Sequence, residues 1–274
     1  PDDLSAIAAM AYVEMLESGF TRVGEFHYLH HDPGGVAYAN RAETSAAVAA
    51  AAAETGIALT HLPVFYAHSD FGGVAPGVGQ RRFINDLDGF TTLLAAARRA
   101  LAPLPDAVLG IAPHSLRAVT PQELSALADL AGDTPIHIHI AEQIREVEAC
   151  MVWSGGARPV EWLLANMPVA PTWCLVHATH MTEAETRTMA ESGAVAGLCP
   201  ITEANLGDGL FPAQAFLAAG GRYGIGSDSN VLIDATEELR LLEYGQRLTM
   251  RGRNLLARRP GGSTGGALWR AAAA

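Results

Sequence analysis

Lysine is absent from the chain, and all 18 basic residues are arginine. A lysine Schiff base, a P-loop lysine and a lysine-carbamate metal bridge are therefore excluded within it. Cysteine is scarce: Cys150, Cys174 and Cys199 have no C-x-x-C or paired spacing. They read as reduced core thiols, and the expectation is a cytoplasmic protein. No run of about 18 uninterrupted apolar residues suggests a membrane span. Basic residues are outnumbered by 29 acidic ones, giving a formal net charge of -11. Such a chain repels nucleic acid and anionic membranes, so neither is expected as a partner. What is abundant is apolar: 49% of the 274 residues are hydrophobic and 17% charged. That excludes disorder and suffices for one large core, since an α/β barrel uses about 250 residues.

Helical and strand-like patterns alternate along the chain. Residues 3–18 carry apolar positions at helical spacing, and Gly19 stops the helix. Strands are expected at 21–28, 57–66, 107–112, 136–140, 174–176, 194–198 and 223–226. Helices are expected at 41–55, 88–101, from 120, at 142–151, 158–166, 182–191, 212–219 and 235–249. Thr120-Pro121-Gln122-Glu123 and Thr182 with Glu185 form capping boxes. Repeated β-then-α units indicate α/β class, either a (β/α)8 TIM-type barrel or a doubly wound sheet. No G-x-G-x-x-G fingerprint follows a strand, which weakens the second reading. A closed barrel needs eight strands and about seven are legible, so the barrel is expected to be incomplete, with its first strand missing.

Tyr28, Tyr66, His114, His139, His177, Pro200 and Asp228 stand at or just past successive strands. In a barrel those positions open onto the C-terminal face, where active sites form. One histidine there is ordinarily structural; three with an aspartate, from separate strands, point to a shared site. His137 and His139 lie two apart and share one face of a strand, so one or both can bind a metal. Glu142 follows at the strand-to-helix turn, where a plain first-turn glutamate is the alternative. Asp228 taken alone reads as a turn or cap aspartate. His180 is expected to face solvent. His27, His30, His31 and Asp32 read as loop or pocket wall, because adjacent His30 and His31 cannot easily share an ion. His61 and His68 have no partner by spacing. Arg117, three residues after His114, is either a bidentate carboxylate clamp or a surface arginine.

His139-Ile140-Ala141-Glu142, then His177, then Ser227-Asp228-Ser229, in that order on successive strands, resemble the amidohydrolase superfamily of metal-dependent deaminases. Longer stretches are similar to the formimidoylglutamate deiminase family within it. These are 25–32, Gly79-Gln80-Arg81-Arg82-Phe83, Ala112-Pro113-His114-Ser115-Leu116-Arg117, and Leu198-Cys199-Pro200 through Glu203 to Gly209. The resemblance implies hydrolysis of N-formimidoyl-L-glutamate to N-formyl-L-glutamate and ammonia. It also implies one divalent metal ion, most often zinc, with His139 and Asp228 among its ligands. Asp228 then takes the proton of the attacking water, His177 orients that water, and Glu142 relays a proton to the leaving nitrogen. Arg117, His114 and Tyr28 hold a substrate with two carboxylates, and the enzyme is a homodimer. A deaminase of guanine or a related ring, or a non-catalytic barrel, are the rival readings.

The family carries a further H-x-H pair on its first strand, and none precedes Pro1. Residues 1–274 are therefore expected to form one incomplete barrel domain of a longer protein, without the family's small β-sandwich. That segment alone is expected to bind metal weakly and to be inactive.

Overall fold

The computed structural model describes residues 2–257 and 261–273. The chain divides into two compact units inside one strand, at Ile138 and His139. In the first unit, α1 (Asp2–Ser18) leads to β1 (Arg22–His27), α2 (Glu43–Thr55), β2 (Ala58–Phe65), α3 (Leu87–Leu101), β3 (Val108–Leu109), β4 (Ala112–Pro113) and α4 (Pro121–Ala131). β5 (Ile136–Ile140) crosses the division. The second unit continues with α5 (Ile144–Ser154), α6 (Pro159–Asn166), β6 (Trp173–His177), α7 (Glu183–Ser192), β7 (Val195–Leu198), α8 (Pro200–Leu206) and α9 (Ala213–Ala218). It ends with β8 (Arg222–Ile225), α10 (Ala235–Met250) and α11 (Thr264–Ala272).

Every expected strand position carries a strand, and these strands pair in parallel, while one isolated bridge, His31↔Ala37, is antiparallel. β1 lies on β2 from Arg22↔Ala58 to His27↔Pro63. β7 lies between β6 and β8, with Leu175↔Ala196 and Ala196↔Tyr223 in register. The strand expected at 107–112 is instead two short pieces, β3 and β4, both paired with β2. The break falls at Gly110-Ile111, where the backbone divides its donors. Gly110 N–H donates to His61 O (3.0 Å), whereas Ile111 N–H donates to Pro135 O (2.9 Å). Glycine is required there, because an added Cβ would lie 2.4 Å from Pro135 O.

Both capping boxes form. Thr120 Oγ1 accepts from Glu123 N–H (3.2 Å), and the Glu123 carboxylate accepts from Thr120 N–H (2.7 Å). Thr182 and Glu185 repeat the exchange at 3.2 and 2.7 Å. Such caps stabilise a helix by about 1 kcal/mol. The alanine-rich α2 buries Ala47, Val48, Ala51 and Ala52. Its polar residues Thr44 and Ser45, on the buried side, hydrogen-bond to imidazoles from the strands. His27 Nε2 meets Thr44 Oγ1 at 3.0 Å, and His61 Nε2 meets Ser45 Oγ at 2.9 Å.

His30 and His31 are also buried, with Nε2 on the carbonyls of Val64 (2.8 Å) and Ile84 (2.7 Å). The Nδ1 atoms of His30, His31 and His61 are buried without a hydrogen-bond partner. These histidines are wall and core, and Asp32 accepts from Gly34 and Val36 N–H within its own loop. His68, which had no partner by spacing, meets Glu123 Oε2 at 2.9 Å. Burial, reinforced by the charge of His27, pushes His30 down to about 3, and burial holds His61 well below its usual value. Both remain neutral in the fold, while the unfolded chain protonates them near pH 6.5. Stability is therefore lost as pH falls below about 6.5, and continues to fall toward the folded pKa values. Each such histidine contributes about 1.4 kcal/mol per pH unit across that window. His30→Gln should flatten the plot of unfolding free energy against pH by about that slope between pH 6 and 4. An unchanged slope in denaturant titrations would show that His30 takes up a proton in the folded protein.

Candidate active site

In the second unit the strand ends converge on His177, the last residue of β6, which is 1% exposed. Its Nδ1 faces Glu203 Oε1 at 3.3 Å. Its Nε2 faces Asp228 Oδ2 at 3.8 Å and Glu142 Oε1 at 3.9 Å. The ring of His139, on β5, lies 5.4 Å from the His177 ring, tilted by 30°. The structure thus brings together His139, Glu142, His177 and Asp228.

The backbone explains how the side chains are presented. Ala141, His177, Ala178 and Asp228 all adopt positive φ, from 46° to 66°. Non-glycine residues in that region cluster at sites where geometry is over-determined. Glu142 lies ahead of α5 rather than in its first turn, and Asp228 sits in a turn, as its plainer reading had it, but does not cap α10. Glu146 takes the turn after β5, accepting from Ala141 N–H (3.1 Å) and Glu142 N–H (3.0 Å). Asp234 caps α10, accepting from Thr236 N–H (2.8 Å) and Glu237 N–H (3.0 Å). His180 does not face solvent as expected; its Nε2 meets Asp208 O at 2.7 Å, and its own carbonyl accepts from Arg158.

Carboxylates outnumber cations here. Burial, with Asp208, Glu146 and Asp228 nearby, raises the Glu142 carboxyl despite the opposing pull of His177. Burial, with Glu203 and Asp208, raises Asp228 against the same pull. Burial alone would lower His177, but the bond to Glu203 and the charges of Glu142, Glu203 and Asp228 raise it. Asp208 Oδ1 accepts from Gln143, while its Oδ2 is buried with no hydrogen-bond partner. Crowded carboxylates and an orphaned carboxylate oxygen fit a bound cation. His177, Cys199 and Asp228 each bring one donor atom within 4.8 Å of one another, and no other such trio was found among the described residues. Imidazole with carboxylate suits a borderline divalent ion such as zinc. Burial and neighbouring acids hold the Cys199 thiol well above its usual pKa, which disfavours it as a ligand.

In the first unit, Tyr28 and Tyr66 pack on the His114 ring at 5.5 and 4.7 Å, and Phe83 lies 5.6 Å from Tyr28. Burial, then the charge of Arg117, pushes His114 down to about 3. Its Nδ1 meets Ser115 Oγ at 2.9 Å. Arg117 is only partly exposed, and its Nε is buried without a hydrogen-bond partner. An orphaned guanidinium donor is what a carboxylate clamp presents before its ligand binds. Tyr28, His114 and Arg117 therefore gather in one unit. Gln80 donates to the Tyr66 hydroxyl at 2.8 Å.

Strand-end position alone reveals neither Tyr66's packing on His114 nor the contact of Glu203, four residues beyond Cys199 inside α8, with His177. The signal for α8 was available: Pro200 at its first position and Gly207, with φ 72°, at its end.

No helix among the described residues is long and apolar enough to cross a membrane. The chain is 56% identical to a formimidoylglutamate deiminase of Pseudomonas aeruginosa, over 94% of its own length and 57% of that relative's. It is 29% identical to an 8-oxoguanine deaminase of the same species, over 91% of its own length and 56% of that protein's. A crystal structure of an amidohydrolase from Brucella melitensis matches with TM-score 0.96 and 60% identity, covering 98% of this chain and 59% of that one. An adenosine deaminase from Xanthomonas campestris, solved with bound zinc, matches with TM-score 0.76 at 23% identity, over 98% of this chain and 55% of that one. The chain thus spans less than two thirds of each of these proteins. These likenesses show an α/β fold, consistent with the TIM-type barrel expected from the strand and helix order. Residues 1–259 match the Amidohydrolase family, and with His139, Glu142, His177 and Asp228 placed as described, the chain belongs to that family.

Proposed function

We propose that the protein hydrolyses N-formimidoyl-L-glutamate to N-formyl-L-glutamate and ammonia, with this chain supplying the acid–base groups. The observation that carries the reading is His177, buried with Glu142 and Asp228 both facing its Nε2. The similarity to a formimidoylglutamate deiminase supports the choice of substrate. The reaction adds water across the C=N bond, and the terminal nitrogen then leaves as ammonia. It needs a base for the attacking water and an acid for the departing nitrogen.

His139 and Asp228 are the residues that would hold a divalent ion, and we assign zinc. When bound, such an ion lowers the pKa of a coordinated water toward about 7 and so supplies a nucleophile at neutral pH. Asp228 accepts the proton of the attacking water. His177 orients that water through Nε2 and stabilises the developing charge. Glu142, whose carboxyl is raised by burial and neighbouring acids, carries the proton to the leaving nitrogen.

The substrate is a small molecule with two carboxylates, while the chain is acidic overall. A local cation must therefore recognise it. Arg117, with its unpartnered Nε, takes one carboxylate, and His114 and Tyr28 add hydrogen bonds. We propose a cytoplasmic homodimer with no nucleic-acid or membrane partner.

The full-length protein encoded by the gene should release ammonia and the formyl product from formimidoylglutamate. Arg117→Met should raise KM far more than it lowers kcat, because a remote carboxylate is bound in ground and transition states alike. Formamide and glutamate as products, or no turnover with guanine cleaved instead, would overturn the assignment; an unchanged KM would remove Arg117 from substrate recognition.

Asp228→Asn and Glu142→Gln should each lower kcat by at least about 100-fold. Only Asp228→Asn should reduce metal content, measured by elemental analysis of both purified variants. Equal metal loss in the two would make Glu142 a ligand rather than a proton carrier.

A further inference from the structure

We infer that Glu203 is a positioning residue that fixes the tautomer and ring orientation of His177. The inference rests on the proposed hydrolysis only for its kinetic consequence. Glu203 is 4% exposed, and its Oε1 lies 3.3 Å from His177 Nδ1. The same oxygen accepts Cys199 N–H at 3.0 Å. A carboxylate oxygen is an acceptor, so His177 must bring the hydrogen on Nδ1. The neutral ring then carries its lone pair on Nε2, the nitrogen that faces Glu142 and Asp228. Which ring nitrogen is protonated is set by the bond the other one makes.

The carboxylate is held on a braced element. Glu203 N–H donates to Cys199 O at 2.9 Å, closing the first turn of α8, and Pro200 sets the helical φ at its start. Asp208 N–H donates to Glu203 O at 2.9 Å. Ile201 N–H donates to Glu238 Oε2 at 2.8 Å, tying α8 to α10. His177 itself has φ 66°, where a side chain gets little orientation from ordinary strand geometry. Glu203 supplies that orientation from outside the strand. With the carboxylate gone, the ring is free to rotate and to place its proton on Nε2. An Nε2–H would face Glu142 and Asp228 with a donor where the reaction needs an acceptor.

The test is two-bond 1H–15N spectroscopy of the full-length protein labelled at histidine, with His177 assigned by the loss of its signals in His177→Asn. The expected result is an Nδ1–H tautomer in the natural protein and in Glu203→Gln, whose amide oxygen can still accept. Glu203→Ala should move His177 to Nε2–H or to a mixture. In the same variants, kcat should fall about 10- to 100-fold for alanine, recover substantially for glutamine, and leave KM within about twofold. An Nε2–H tautomer in the natural protein overturns the inference, as does retention of Nδ1–H in Glu203→Ala. Should Glu203→Ala not fold, the spectra of the natural protein and of Glu203→Gln decide alone. The spectra are independent of substrate, so failure of the proposed reaction would leave this result standing.

Discussion

Burying His177 against Glu203, with Glu142 and Asp228 facing its other nitrogen, dictates much else in the second unit. Several carboxylates around one imidazole leave an excess of negative charge away from bulk water, and that charge has to be neutralised by protons or by a cation. The raised carboxyls of Glu142 and Asp228 express the first solution, and the donor atoms of His177 and Asp228, within 4.8 Å of each other, suit the second. The backbone contributes as well. His177, Ala178 and Asp228 sit in the left-handed region, at a cost of about 1–2 kcal/mol each. Parallel pairing of β6, β7 and β8 over the buried Leu175, Ala196 and Leu198 offsets that strain and makes the strand ends rigid supports.

The first unit solves the opposite problem. Its buried histidines have hydroxyls and carbonyls as partners: Thr44 for His27, Val64 for His30, Ile84 for His31 and Ser45 for His61. With Glu25, at 3.8 Å from His27, the only carboxylate among the described residues paired with any of them, burial wins and drives His30 and His61 neutral. Histidine density is thus a poor guide to ionic chemistry. The count of carboxylates within a few ångströms decides whether an imidazole is held as structure or is drawn into proton transfer.

Strand periodicity made His139, His177 and Asp228 legible, because positions at or just past a strand's end are placed by the run of apolar residues before them. Helix starts were legible where Thr120 and Thr182 announce them with a glutamate three residues on. Glu142 and Asp228 were ambiguous in the sequence because Glu146 and Asp234, the residues that take over the turn and cap, are recognisable only from hydrogen bonds. The partners of His61, His68 and His180 lie 16 to 55 residues away in the chain, so spacing could not name them. The break at Gly110 depends on Pro135, a contact made only once the two segments are adjacent in space. α8 was not legible because seven residues are too few to show periodicity, so Glu203 stood only within a family-like stretch, without a role.

The central claim is that the carboxylate-rich cluster of the second unit, rather than the histidine-rich core of the first, is where a cation and the hydrolytic chemistry reside. Anomalous diffraction at the zinc edge, from crystals of the full-length protein loaded with zinc, tests it most directly. The account predicts an anomalous peak in contact with His139 and Asp228, and none among His27, His30 and His61. A peak on that first-unit cluster, or zinc bound without Asp228, would contradict it.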